Sequence, residues 1–246
     1  MATIWIPLPD HDFDVTEVAV PWKLLTSAGH RVVFATERGG QTPEADPLLL
    51  TGVLFGQLGA EPEPKAFYAQ MTQAKEFQNP ISWLDLDPTA YDALLLPGGH
   101  APGMKQYLGS AALHQKIAAF FATGRPVGAI CHGVLAAARA GVLRGRRTTC
   151  LPAYMELSAW AITAWKLGSY YRTYPQTVQD EVCAALAAPG DFVRGPLGGM
   201  TRGTAEDHRA AFVVEDGAYV SARWPGDAYL FAEKLIARLP PAEEAR

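Results

Sequence analysis

The run Ala129-Ile130-Cys131-His132-Gly133 constrains this chain more than any other feature. A short apolar stretch, Pro126 to Ile130, leads into it, and an Ala-rich helical pattern, Val134 to Ala140, follows. That reads as strand, sharp turn and helix, with a cysteine at the turn. Such an elbow holds a nucleophile in a strained conformation above the edge of a sheet, with the next backbone N–H aimed at the same point. Strand and helix pack closely there, so the flanking residues must be small, and Ala129 and Gly133 meet that need. A helix N-terminus and a protonated imidazole both lower a thiol pKa, so Cys131 is expected to be accessible and partly anionic. The competing reading of Cys131 is a small buried hydrophobe.

The rest of the chain is consistent with one α/β domain spanning all 246 residues, 49% of them hydrophobic. A net charge of −4 argues against nucleic acid or an anionic membrane as the main partner. The first residues lack the charged and apolar regions of a signal peptide, and no apolar run is long enough to span a bilayer. Three cysteines, Cys131, Cys150 and Cys183, suit a reducing cytoplasm better than a disulfide framework. No His, Cys or Asp spacing suggests a metal site.

Thr3 to Leu8 and Arg31 to Thr36 read as strands around a helix from Val15 to Ala28, with Asp14 as its N-cap and Gly29 as its stop. This β-α-β opening predicts a parallel sheet with helices on both faces. Residues 37–91 interrupt the alternation and are expected to form an insertion, either a cap over a site or a surface excursion. Within it, Ala66 to Phe77 is helical and Trp83 to Tyr91 is a loop. Asp92 to Leu96 is a buried strand ending in the turn Pro97-Gly98-Gly99-His100. Helices are expected over Ala111–Thr123, Tyr154–Leu167, Thr177–Ala187 and Asp227–Leu239, with a short strand at Thr148–Leu151. Asp216-Gly217 marks a hairpin between Ala211–Glu215 and Ala218–Ala222. Asp227 reads as the N-cap of the last helix.

Gly99 follows a strand, where a glycine lets backbone N–H groups approach a ligand closely, so it is a candidate second oxyanion donor beside the N–H of His132. His11, Asp12 and His100 fall in turns beyond the C-terminal ends of strands, where open α/β sheets bind ligands. His11 and Asp12 are weighed equally as substrate contacts and as turn caps. Arg172, among Tyr170, Tyr171 and Tyr174, is a candidate anion anchor, against the plainer reading of this cluster as core or interface.

Three ordered motifs carry a resemblance. They are Glu17-Val18-Ala19-Val20-Pro21 with Leu24-Leu25-Thr26-Ser27-Ala28-Gly29-His30, then Leu95-Leu96-Pro97-Gly98-Gly99-His100-Ala101-Pro102, then Gly128 to Gly133. Together they resemble the DJ-1/PfpI superfamily, which has the class I glutamine amidotransferase-like, flavodoxin-like fold. The Cys-His adjacency and the insertion look most like its Hsp31-type branch, which includes glutathione-independent glyoxalases and chaperone-like proteins. The resemblance implies that Glu17 contacts the nucleophilic sulfur, where a buried protonated carboxyl can donate a hydrogen bond to a thiolate and shuttle a proton. It also implies that His132 swings beside the sulfur as acid or base, oriented by a downstream carboxylate. Glu156 fits that position, and Asp180 and Glu181 are alternatives. The second half departs from the family pattern: Ser221-Ala222-Arg223-Trp224-Pro225-Gly226-Asp227 stands where a Thr-Gly…Pro-Ala-Ser run is usual.

The expected function is a cysteine enzyme acting on a small carbonyl compound, glyoxalase III-like, converting a 2-oxoaldehyde to a 2-hydroxy acid with no cofactor. Amide or peptide hydrolysis by the same cysteine is the second reading. A stress-response chaperone or a redox sensor is the third. The resemblance further implies a homodimer.

Overall fold

The β-α-β opening forms almost as the sequence dictates. A computed structural model of the chain describes residues 1–197 and 200–241. It begins with β1 (Thr3–Pro7), β2 (His11–Phe13), α1 (Val15–Ser27) and β3 (Arg31–Thr36). Asp14 starts α1 by accepting the N–H groups of Thr16 and Glu17 on Oδ1 at 2.8 and 3.0 Å. This leaves the Glu17 carboxyl free to reach elsewhere.

The insertion contributes β4 (Glu44–Ala45), α2 (Pro47–Thr51), α3 (Pro62–Met71), α4 (Lys75–Gln78) and β5 (Ile81–Ser82). Then come β6 (Ala93–Leu96), α5 (Met104–Gly109), α6 (Ala111–Ala122), β7 (Val127–Ile130) and α7 (His132–Arg139). The chain closes with α8 (Ala153–Leu167), α9 (Val178–Ala185), β8 (Val213–Asp216), β9 (Tyr219–Ala222) and α10 (Ala228–Ile236). The main sheet runs β5-β3-β1-β6-β7-β9-β8, parallel except for the β8–β9 hairpin, and β2 pairs with β4 in a small second sheet. All residues of β6 and β7 are buried, as strands covered on both faces by helices must be. This is the flavodoxin-like arrangement with helices on both sides.

Four expectations need correction. Residues 37–91 are not a mere excursion from the fold: β5 extends the sheet beside β3, and Phe77 packs edge-on against Phe34 with ring centroids 5.1 Å apart. Phe77 and Trp83 are wholly buried, so this segment supplies core as well as surface. The stretch Thr148–Leu151 forms no strand, only a bridge from Thr148 to Phe192, because Ser221 Oγ takes the Thr149 N–H at 3.0 Å. The single helix expected over Ala66–Phe77 is two, α3 ending at Met71 and α4 starting at Lys75. Asp227 does not cap α10 through its side chain. Its carboxylate grips the Arg223 guanidinium at 2.8 and 2.9 Å and also accepts the Phe212 N–H at 2.9 Å.

Candidate active site

Cys131 sits between β7 and α7 with φ +57° and ψ −120°, a left-handed backbone that costs a non-glycine residue about 1–3 kcal/mol. Neighbouring elements enforce it. The Cys131 N–H donates to Ala222 O in β9 at 3.0 Å. A Cβ on Gly133 would lie 1.9 Å from Leu96 O, so only glycine lets α7 start this close to β6. The small-residue requirement read from the sequence is thus a backbone contact.

The sulfur is fully buried, and its surroundings are polar. His132 Nδ1 lies 3.5 Å from Sγ, the His132 backbone N–H faces the sulfur, and the Glu17 carboxyl approaches from α1. Glu17 Oε2 accepts the Gly98 N–H at 2.8 Å, while Oε1 is buried with no other hydrogen-bond partner. A Cβ on Gly98 would lie 2.6 Å from His132 N and 3.1 Å from Cys131 Cβ, so this glycine lets the β6 turn close on the elbow. The Gly99 N–H has no acceptor among the described residues.

Burial decides the charges here. It pushes the Glu17 carboxyl well above the usual carboxylate range, and the Asp14 charge adds to the rise. It pushes Asp14 up to about 6, against the pull of the Glu17 N–H and Arg202. His132 is held well below its ordinary value by burial, and His100 is lowered to about 4 for the same reason. At neutral pH both imidazoles are uncharged, and burial favours the protonated form of Glu17. The Cys131 thiol is raised, first by burial and then by the carboxyls of Glu17 and Asp14. The expectation of an accessible, partly anionic thiol beside an imidazolium is therefore corrected. Burial favours the neutral form of both Cys131 and Glu17, and the His132 N–H pulls the other way, toward the thiolate.

Other candidates divide sharply. His100 belongs to the site: its ring meets the rings of His132 and Tyr171 edge-on, each with centroids 4.8 Å apart, and Thr173 Oγ1 donates to its carbonyl. Glu156 does not orient His132. It is buried and Oε2 accepts the Val178 N–H at 2.9 Å, capping α9. The alternative Glu181 is engaged by Arg139 at 2.7 and 2.9 Å. Among the described residues no carboxylate hydrogen-bonds His132. Asp12 Oδ2 accepts the Gly103 N–H at 2.8 Å, a turn role, and His11 is exposed beside Glu44 at 3.8 Å. Arg172 donates to Pro175 O at 2.7 Å and stands over Trp160, in a shallow depression apart from the sulfur. The described residues contain no cluster of three His, Cys, Asp or Glu able to hold a metal ion.

A cavity of about 190 Å³ adjoins the site at Asp14, His100 and Tyr171. Its lining is largely apolar, with Leu151, Met155, Ala159 and Ile162 from α8 and the turn before it, and Leu49 and Ala60 from the insertion. Trp224 and Arg202 complete it. Tyr170 donates to Asp46 Oδ2, tying the segment after α8 to the N-cap of α2. Sequence reasoning missed Asp46 and Arg202, whereas Trp224 lies in the run that departs from the family pattern. A local signal existed only for Asp46, whose Asp-Pro step marks a helix start.

Residues 8–196 match the family described as ThiJ/PfpI family-like. A deglycase of Pyrococcus abyssi is 27% identical over 91% of this chain and 92% of its own length. The deglycase PfpI of Pyrococcus furiosus is 28% identical over 93% and 95%. The crystal structure of glyoxalase III from Candida albicans superposes with a TM-score of 0.69 at 19% identity, covering 97% of this chain and 98% of that one. A buried Glu-Cys pair on a strained elbow, within this sheet order, agrees with the match, and the chain belongs to the ThiJ/PfpI family of the DJ-1/PfpI superfamily.

Proposed function

We propose that the chain is a glutathione-independent enzyme that converts 2-oxoaldehydes to 2-hydroxy acids through Cys131. The observation that carries this reading is the buried Glu17 carboxyl, one oxygen bonded to the Gly98 N–H and the other without a partner, against the thiol on the elbow, with burial favouring the protonated carboxyl. Sulfur adds to the aldehyde carbon while its proton passes to neutral His132 and Glu17 protonates the aldehyde oxygen. The His132 N–H, which faces the sulfur, receives that oxygen as charge develops, with the Gly99 N–H assigned as the second donor. The product is a hemithioacetal. Glu17, now a carboxylate, removes the hydrogen from the former aldehyde carbon, and His132 returns its proton to the ketone oxygen to give an enediol. Glu17 then protonates the second carbon and takes the hydroxyl proton from the first, leaving a thioester. Water cleaves it to the 2-hydroxy acid and regenerates the thiol. Every proton is returned, and no electron acceptor is needed.

The family relatives named as deglycases support carbonyl adducts as the chemistry. Amide hydrolysis is less well supported, because His132 lacks the orienting carboxylate that would position it to protonate a leaving nitrogen. The test is consumption of methylglyoxal without glutathione, with lactate as the measured product. Wild type is expected to turn over and Cys131→Ala to be inactive. Equal lactate formation by both proteins, or none by wild type, refutes the reading. Cleavage of an amide by wild type in the absence of lactate formation would transfer support to the hydrolase.

A further inference from the structure

The cavity beside His100 has no part in the chemistry described above: Glu17, Cys131 and His132 do not line it, and His100, whose ring meets that of His132, joins it to them. We infer that it binds the group attached to the ketone carbon of the substrate, and that this group is bulky and apolar, a phenyl ring or a branched alkyl chain. The inference rests on the 2-oxoaldehyde reading and deepens it.

Three observations carry it. The first is size: about 190 Å³ exceeds the roughly 150 Å³ of an apolar cavity that accepts a benzene ring. The single methyl group of methylglyoxal would leave most of that volume unfilled. The second is chemistry: Leu151, Met155, Ala159 and Ile162 contribute a largely apolar lining, with a few polar side chains among them, Asp14, His100, Ser158, Tyr171 and Arg202. A largely apolar cleft with a few convergent polar groups is the usual form of a small-molecule site. The third is continuity. His100 lines the cavity and its ring meets His132, whose Nδ1 is 3.5 Å from the sulfur. A carbonyl carbon held near Cys131 would therefore direct its substituent past His100 toward α8. The wall also comes from parts of this chain that depart from the family motifs: the insertion gives Leu49 and Ala60, and the Arg-Trp-Pro run gives Trp224.

Apolar contacts of this kind discriminate by about 10–200-fold per methylene-sized difference, so a ring should matter at least that much. The experiment compares kcat/KM for phenylglyoxal and methylglyoxal. Wild type is expected to favour phenylglyoxal at least tenfold, and Ala159→Phe to lower that ratio at least tenfold by filling the cavity. Ser158→Phe, at an exposed neighbouring position on the same wall, is expected to lower it as well. Methylglyoxal preferred or equal, or a ratio unmoved by both variants, overturns the inference while leaving the carbonyl chemistry intact. Binding separates the two failures. Acetophenone, which has no aldehyde, is titrated into Cys131→Ala protein and read by tryptophan fluorescence. Saturable binding lost in the Ala159→Phe background supports the cavity even if neither aldehyde is consumed. Absence of saturable binding overturns the cavity assignment.

Discussion

Replacing Asp14 by asparagine is expected to stabilise the protein at neutral and alkaline pH, although Asp14 caps a helix. Asparagine caps α1 about as well as aspartate, so the amides of Thr16 and Glu17 keep an acceptor. What changes is the cost of burying a charge. The Asp14 pKa rises from 3.8 to about 6 on folding, chiefly through burial. A group with a raised folded pKa contributes stability fully present below its unfolded pKa and lost as pH climbs through the folded one. The rise of about 2 pH units corresponds to about 3 kcal/mol, at about 1.4 kcal/mol per unit. The stability difference between Asp14→Asn and wild type should therefore be small near pH 3. It should grow in favour of the variant by about 3 kcal/mol between pH 4 and pH 7, then level off. Urea unfolding across that range measures it directly, as midpoint times slope. In thermal melts it corresponds to about 6–12 °C, since about 1 kcal/mol moves the midpoint of a chain this size by about 2–4 °C. A difference independent of pH, or one that turns against the variant as pH rises, refutes the claim that Asp14 is charged at a cost. Activity should move separately. The Asp14 charge helps to hold the proton on Glu17, so its removal lowers the Glu17 pKa and shifts the alkaline limb of kcat/KM to lower pH.

Glu17→Gln keeps a hydrogen-bond acceptor for Gly98 but cannot shuttle a proton, and 2-oxoaldehyde turnover should fall by about 10²–10⁴-fold, measured as kcat with folding checked by circular dichroism. Glu156→Ala removes the acceptor of a buried backbone N–H and should cost about 1–3 kcal/mol in urea unfolding, with kcat within threefold of wild type, because Glu156 caps α9 and does not hold His132. Asp227→Ala leaves the Arg223 guanidinium buried and unpaired and should cost about 3–5 kcal/mol, read the same way; a loss under 1 kcal/mol would mean that water reaches the pair.

Local signals made much of this molecule legible. The elbow, its strand and the two strands around α1 each follow from short-range pattern: a continuous apolar run, a cap, a glycine stop. Glu17 was legible only through the resemblance, because its carboxyl reaches Gly98 across a sequence distance of 81 residues and nothing near it in sequence marks that contact. Glu156 misled for the converse reason. A carboxylate in the first turn of a helix is equally consistent with a catalytic partner and with a cap for another helix, and only the placement of Val178 decides. Asp227 had the sequence signature of a helix cap, yet a buried arginine four residues earlier competes for its carboxylate and wins. The charge state of Cys131 was misjudged because a helix N-terminus is visible in sequence, whereas complete burial and the approach of the Glu17 and Asp14 carboxyls are not. The core role of 37–91 went unseen because β5 has only two residues and its buried aromatics are spread among Gly and Pro.

The chemistry proposed for the elbow depends on a proton resident on Glu17 when no substrate is bound. The infrared difference spectrum between wild type and Glu17→Gln at pH 7 reports that proton directly. A carbonyl stretch of a neutral carboxylic acid, present in wild type and absent from the variant, is the expected result. A carboxylate band in its place would show that Glu17 is ionised beside the sulfur and would contradict the account.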